Sequence, residues 1–292
     1  MHIRSVAVMA AVLAGLTTVA SAQPPAASTL PVPGTAPCVI QAPAAPARAA
    51  TPPVTTATPG RGAAPAATPG APARGPAPPA PPATPATQPR PRDDARHQCF
   101  VTVAKRGNID LLFVGDSITD WWQMDARGRP EWDKTFAPLK AANWGIAGDT
   151  TQGVLWRMQN GELEGFKAKL IVFMLGTNNI NRNGLAEIAA GDAAIIREFR
   201  TRQPQAKVLV LGVFPRGAAA DNPFRAQIRE LNYNLSHVAD NKHVFYMDIG
   251  DRFLTPDGTL TTEIMADGLH PTLKGYGLWA DAIKDKVREL MR

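Results

Sequence analysis

The 292-residue sequence has few of the side chains that most often bind metal ions or form covalent frameworks, with only two cysteines and five histidines. Neither type is clustered along the chain, and metal sites need several such ligands close together. We therefore expect no metal site. Cys38 and Cys99 leave two alternatives open. They form a disulfide that closes a loop of about 60 residues, or Cys99 is a buried free thiol and Cys38 lies in a disordered segment.

Long apolar runs are also scarce, and the one that stands out lies at the start of the chain. Residues 6–19 are mostly apolar, follow Arg4 and precede Ala20-Ser21-Ala22. Spanning a bilayer takes roughly 20 apolar residues, more than this run provides. We therefore interpret residues 1–22 as a cleaved signal peptide rather than an uncleaved membrane anchor. This predicts a secreted or periplasmic protein.

An excess of one charge is missing from most of the chain, although the formal net charge is +6. Residues 98–292 hold 24 Lys and Arg against 23 Asp and Glu, and show no basic stripe. A nucleic-acid partner is therefore not expected. Much of the positive charge lies in residues 23–97, where six arginines face two aspartates. Such a basic segment is suited to contact an anionic cell envelope or a polysaccharide.

Residues 23–97 also hold 21 of the 28 prolines and are otherwise rich in alanine, threonine and glycine. This segment has no hydrophobic periodicity and cannot bury enough apolar surface to offset the entropy lost on ordering. We predict a disordered tether over residues 23–97 and a folded domain over residues 98–292.

Apolar runs of strand length recur within the predicted domain, at residues 109–115, 142–146, 169–175, 207–214 and 243–249. Their nearly continuous hydrophobicity is typical of parallel strands that are buried on both faces. Helical patterns separate them. The alternation predicts an α/β fold with three layers, αβα, around a five-stranded parallel sheet. Ligands of such sheets bind at the carboxyl ends of the strands, so the chemistry should follow the strands.

A candidate nucleophile and base occupy such positions. Ser117 follows the first predicted strand in the segment GDS, and a serine needs a base to become nucleophilic. Of the three histidines in the predicted domain, His237 lies in a predicted helix and His243 begins a predicted strand. His270 lies in the loop DGLH, with Asp267 three residues before it. This spacing can place the carboxylate on the far ring nitrogen of the histidine.

Candidate oxyanion donors follow the first three strands. Hydrolysis of an ester needs N–H groups that hold the oxyanion of the tetrahedral intermediate. The backbone N–H groups of Ser117 and Gly148, the latter in GIAGD, and the side-chain amide of Asn178 in GTNN are the candidates. Asp116 fits a helix N-cap and is given no catalytic step.

Taken in order, these segments resemble the blocks of the SGNH or GDSL hydrolase superfamily, whose name refers to Ser, Gly, Asn and His. The sequence is most similar to the branch that contains the catalytic subunits of type-Ib platelet-activating-factor acetylhydrolase. The similarity is carried by NWGIAGDTTQGVLWRMQNGEL, GTNN and TRQPQAKVLVLGVFPRG. It implies a flavodoxin-like fold, serine esterase chemistry without a cofactor, short acyl groups, Asp267 as the acid of the triad, and homodimers as an option.

The resulting hypothesis is a secreted serine ester hydrolase that removes short acyl groups, most often acetyl, from carbohydrate. Two alternatives stay open: a lipid or phospholipid acyl esterase of the acetylhydrolase type, and a catalytically idle glycan-binding module. The sequence lacks the G-x-S-x-G of α/β-hydrolase lipases and the Gly-Lys-Ser/Thr of phosphate-binding loops. Thr177 and Leu269 adjoin Asn178 and His270, so we expect them to wall a small acyl pocket.

Overall fold

The computed structural model describes Cys38 and residues 84–292. The predicted signal peptide, and the predicted tether up to residue 83 apart from Cys38, lie outside the described residues. Within the described residues, no helix is long and apolar enough to cross a membrane.

Seven α-helices and five β-strands form the described part of the chain. In chain order they are α1 (Ala95–Arg106), β1 (Leu111–Gly115), α2 (Ser117–Asp120), α3 (Arg129–Thr135), β2 (Ala141–Gly145), α4 (Thr151–Gln159), β3 (Leu170–Met174), α5 (Leu185–Arg202), β4 (Lys207–Leu211), α6 (Pro223–Ser236), β5 (Val244–Met247) and α7 (Leu273–Leu290). Every predicted strand is present, and most are a few residues shorter than their apolar runs.

The strands form one parallel sheet in the order β2-β1-β3-β4-β5. All residues of β1, β2 and β3 are buried, as expected for a sheet that is covered on both faces. Gly115 at the end of β1 is level with Gly145 of β2 and Met174 of β3. The loops that follow these three strands therefore begin side by side. The predicted α/β class and five-stranded parallel sheet are confirmed.

Two apolar cores separate the sheet from the helices. On one face, Leu112 and Val114 of β1 pack in a cluster with side chains of α1, α4 and α5, including Phe199. On the other face, Phe113 packs with α2, α3 and α7, including Trp279. Alternate residues of one strand thus point to opposite cores, which gives the predicted three layers.

The boundary predicted at residue 98 is wrong, because the folded part reaches back to at least Thr84. Ala86 and His97 are buried, and α1 begins at Ala95 with Asp94 as its N-cap. Arg92 and Arg96 pair with Asp149 and Asp120 of the domain, which composition alone does not reveal. We call residues 84–94 the N-terminal strap.

The structure joins Cys38 to Cys99 in a disulfide, with a Cα–Cα distance of 5.6 Å. This is the first of the two alternatives that the sequence leaves open. Cys99 lies in α1, and Cys38 is buried in the core cluster of that helix. The bridge therefore fixes a residue from the proline-rich segment to the domain.

Candidate active site

Ser117 begins α2 directly after β1, so its side chain lies at the carboxyl edge of the sheet. Two glycines allow this tight approach. A Cβ on Gly115 would lie 2.2 Å from the Thr119 hydroxyl oxygen, and one on Gly145 would lie 2.2 Å from the backbone nitrogen of Asp120. The helix can start against the ends of two strands only because neither glycine carries a side chain.

A continuous hydrogen-bonded chain runs from Ser117 to Asp267. Ser117 Oγ lies 2.9 Å from His270 Nε2, and His270 Nδ1 lies 2.6 Å from Asp267 Oδ2. The other carboxylate oxygen of Asp267 accepts the backbone N–H groups of Leu269 and His270. Three residues selected from separate parts of the sequence are thus brought together at hydrogen-bonding distance, an arrangement that suits proton transfer from the serine.

The carboxyl group of Asp267 is held in its ionised form. Partial burial favours the neutral acid, but the hydrogen bonds from the His270 ring and backbone outweigh it and lower the pKa of Asp267 to about 2. A carboxylate beside the ring nitrogen fixes the tautomer of the histidine and stabilises an imidazolium. Asp267 can therefore play this part throughout the neutral and mildly acidic range.

Trp121 is a site residue for which the sequence analysis gave no role. Its ring stacks on the His270 imidazole, with centroids 3.9 Å apart and planes 27° from parallel. The Arg127 guanidinium lies over the same indole, 5.0 Å from the ring centroid. This guanidinium also donates a hydrogen bond to the carbonyl of Pro271. Trp121 lies four residues after Ser117, about one helical turn, and this spacing was the available signal. The neighbouring Trp122 is an ordinary core residue.

The loops that carry the other candidate donors meet next to each other. Gly148 has φ of +75°, a conformation that favours glycine, and the space where a Cβ would point is open for 4 Å. Asn178 Nδ2 donates to the carbonyl of Asp149 at 2.8 Å. A side-chain amide has two N–H groups, so the second is left for another acceptor. The role of both residues as oxyanion donors stays a prediction.

A buried ionic network lies under the Gly148 loop. Arg157 is fully buried and pairs with Asp149 at 2.9 Å and with Glu162 at 2.5 Å. Glu162 is also 2.9 Å from the ring nitrogen of His97, and Asp149 also pairs with Arg92 of the strap. None of these residues was predicted from the sequence to belong to the site. They tie the loop to α1, α4 and the strap.

Asn179, the second asparagine of GTNN, holds the start of α4. Its side-chain oxygen accepts the backbone N–H of Thr151, and its amide nitrogen bonds the Thr151 hydroxyl and Gln152. Two residues were expected to wall an acyl pocket. Thr177 is buried, and Leu269 is partly buried and packs against the core that contains Trp122. Their contact with an acyl group stays a prediction.

Asp116 acts as the N-cap of α2, as expected, by accepting the backbone N–H of Ile118 at 3.0 Å. Its burial raises the pKa to about 7, against the lowering effect of that hydrogen bond. Over the described residues, no three His, Cys, Asp or Glu side chains are grouped so that they could hold a metal ion.

The buried Asp116 predicts a pH dependence of stability. The unfolded carboxyl ionises near pH 4, whereas the folded one keeps its proton to about pH 7. Between these values the unfolded state binds fewer protons, so stability falls as the pH rises. Relative to Asp116→Asn, the wild-type protein should lose on the order of 3 kcal/mol between pH 4 and pH 8. Urea unfolding of both proteins at the two pH values measures this, and a difference independent of pH would contradict it.

Comparisons with known proteins show the family and the fold to which the chain is similar. The model of the GDSL-like lipase/acylhydrolase family matches residues 113–278. Platelet-activating factor acetylhydrolase IB subunit alpha2 of Rattus norvegicus is 40% identical over 198 residues, which cover 68% of this chain and 84% of that protein. Subunit alpha1 of Bos taurus is 37% identical over 181 residues, 62% of this chain and 75% of that protein.

Solved structures show the same fold at lower identity. A GDSL-like lipase from Bacteroides thetaiotaomicron superposes with a TM-score of 0.54 at 21% identity, covering 67% of this chain and 98% of that one. A mutant of an acetyl-xylooligosaccharide esterase from Geobacillus superposes with a TM-score of 0.50 at 19% identity, covering 64% of this chain and 96% of that one.

Proposed function

Because the chain belongs to the GDSL-like lipase/acylhydrolase family and is a carboxylic ester hydrolase, we propose that it works through a triad of Ser117, His270 and Asp267. The observation that carries this proposal is the continuous chain from Ser117 Oγ to His270 at 2.9 Å and from His270 to Asp267 at 2.6 Å. A nucleophile, a base and a group that orients the base are the parts that acyl transfer through a covalent intermediate requires.

The proposed reaction has two halves. His270 takes the proton of the Ser117 hydroxyl through Nε2 while Oγ attacks the acyl carbonyl, and Asp267 holds the ring at Nδ1. The alcohol leaves with the proton from His270, and an acyl-serine remains. A water that gives its proton to His270 then attacks the acyl-serine and releases the acid. Ionised Asp267 stabilises the imidazolium in both halves. The stacked Trp121 holds the imidazole ring of His270 in its orientation.

Three donors are proposed to hold the oxyanion in each half. They are the backbone N–H of Ser117 at the start of α2, the backbone N–H of Gly148 and the second amide N–H of Asn178. The parallel register supports this grouping, because β1 lies between β2 and β3 and the three loops leave the same edge. Donors fixed before the reaction stabilise the developing charge without reorganisation.

The proposed substrate is a carbohydrate that carries a short acyl ester, most often acetyl. Residues 1–22 are proposed to be the signal peptide that directs export of the enzyme. The name of the Geobacillus esterase and the acetylhydrolase names of the relatives both support an acetyl group. A lipid or phospholipid ester, in keeping with the relatives' names, is the second candidate. An idle glycan-binding module is the third, and the intact Ser117–His270–Asp267 chain counts against it.

Acyl chain length gives a direct test of the short-acyl proposal. The proposal takes the buried Thr177, next to Asn178, as a wall of a small acyl pocket. The full chain should hydrolyse p-nitrophenyl acetate with a kcat/KM at least about tenfold above that for p-nitrophenyl octanoate, because a chain that does not fit loses its binding energy. Butyrate should fall between them. Faster hydrolysis of the octanoate would refute the small pocket and favour the lipid ester.

A further inference from the structure

A cavity that has no part in the mechanism above opens beside the loops that carry the candidate oxyanion donors. It has a volume of about 420 Å³ and is lined by Arg90, Arg182 and otherwise threonine, asparagine and glutamine side chains, among them Thr150 and Asn181. We call it the strap pocket. Every residue that lines it has a polar or charged side chain, whereas a pocket for an acyl chain is lined mostly by apolar side chains.

The strap pocket is close to the site of the reaction. Thr150 is two residues from Gly148, so their Cα atoms are within roughly 8 Å of each other. Asn181 is three residues from Asn178, within roughly 11 Å. The bond from Asn178 Nδ2 to the Asp149 carbonyl joins the two loops between these positions. A substrate whose ester lies at Ser117 can therefore extend its alcohol part into the pocket.

One wall of the pocket is formed by the N-terminal strap and is firmly attached. The carbonyl of Thr84 accepts the side-chain amides of Gln152 and Asn183, at 2.8 and 3.1 Å. The backbone N–H of Arg90 donates to the carbonyl of Gln152 at 3.0 Å. The strap lies outside residues 113–278, which match the family model. The pocket wall thus lies outside the segment that the family model matches.

The two arginines of the pocket make no ion pair within the described part of the chain. Their side chains are exposed and make no ion pair with a described carboxylate, whereas Arg92 pairs with Asp149. The nearby Glu187 is occupied by the backbone N–H of Ala86 and by Asn183. A polar cavity with two uncompensated guanidinium groups suits an anion, and guanidinium groups bind carboxylates through two parallel hydrogen bonds.

We propose that the strap pocket binds a carboxylate-bearing sugar unit on the alcohol side of the ester, so that the substrate is an acetylated acidic glycan. This rests on the proposed ester hydrolysis at Ser117. Arg90 and Arg182 hold the carboxylate, and the amide and hydroxyl side chains hold the ring hydroxyls. The two arginines determine specificity and take no part in the chemical step.

The test compares two acetylated glycans as substrates of the wild-type protein and of two double variants. Wild-type full chain should hydrolyse acetylated oligogalacturonides with a lower KM than acetylated xylooligosaccharides. In the double variant Arg90→Gln/Arg182→Gln, the KM for the acidic glycan should rise about tenfold at low salt. Its kcat, its KM for the neutral glycan and its activity on p-nitrophenyl acetate should not change. The matched control is Arg106→Gln/Arg252→Gln, which removes two exposed arginines outside the pocket and should leave all values unchanged.

Other outcomes separate this inference from the proposed function. An acidic-glycan KM that is unaffected by the double variant, or equally raised in the control, overturns the subsite. So does a double variant that loses activity on an acetylated choline phospholipid rather than on the acidic glycan. Calorimetric titration with deacetylated trigalacturonate measures the subsite without catalysis. Binding that depends on Arg90 and Arg182 in a protein inactive on p-nitrophenyl acetate would keep the subsite and reject the hydrolase mechanism.

Discussion

Replacing Ser117 with alanine should lower kcat for p-nitrophenyl acetate by about 10⁴- to 10⁶-fold. The substitution removes only the oxygen that lies 2.9 Å from His270 Nε2, so the reaction loses its nucleophile while the packing around α2 stays. His270→Ala should cost about as much, because a hydroxyl without a base is a poor nucleophile. The double variant should be no worse than either single variant, since the two residues act as one unit.

The chain provides a matched control for this prediction. Ser236 is the one other serine in residues 84–292, and its hydroxyl bonds only the Tyr233 carbonyl. Ser236→Ala should therefore keep the wild-type kcat, and both alanine variants should unfold at the wild-type urea midpoint. A Ser117→Ala protein that is folded and within tenfold of wild-type activity would show that another group attacks the ester.

The elements that the sequence predicts well are those whose signal is local. Each strand of the sheet is a short apolar run, and a strand buried on both faces needs little else to be recognised. Ser117, Asp267 and His270 were found because a polar group directly after a strand, or in a loop with a carboxylate three residues away, has a limited set of uses. The sheet then brings the segments together.

Other contacts could not be predicted because they join distant residues without a local pattern. Trp121 and His270 are 149 positions apart (270 − 121), and a tryptophan after a strand is more often a core residue, as Trp122 is. The strap was misjudged for a different reason. Its prolines and arginines have the composition of a disordered segment, but its Arg92 pairs with Asp149 of the domain.

The buried ionic network around Arg157 contributes to the stability of the protein. Burial opposes the charge of the guanidinium, but Glu162 and Asp149 outweigh it and raise the pKa of Arg157. All three side chains are at most 1% exposed. Removal of Arg157 leaves Asp149 with Arg92 and Glu162 with His97 as their remaining partners, in a medium where desolvation is expensive.

Arg157→Met should therefore lower the free energy of unfolding by about 5 kcal/mol, which urea titration at pH 7 measures. Methionine fills much of the volume, so the loss comes from the two carboxylates that lose their arginine rather than from a cavity. Adding Glu162→Gln to Arg157→Met should restore part of the stability, because one of the two buried carboxylate charges that lost its arginine is then gone. The exposed Arg288, which has a single long contact with Asp285, provides the control, and Arg288→Met should cost less than about 1 kcal/mol.

The same variant connects stability to catalysis. Asp149 follows Gly148, and its carbonyl accepts the side-chain amide of Asn178. An Asp149 that has lost Arg157 is therefore held less firmly, and so are the two loops that carry these candidate oxyanion donors. Without urea, and at a temperature where Arg157→Met is still folded, the kcat of this variant should fall although the Ser117–His270 pair is untouched. A variant that is destabilised but has wild-type kcat would mean that the network supports the fold alone. A variant with full stability would mean that the buried arginine and its two carboxylates are replaceable by apolar packing.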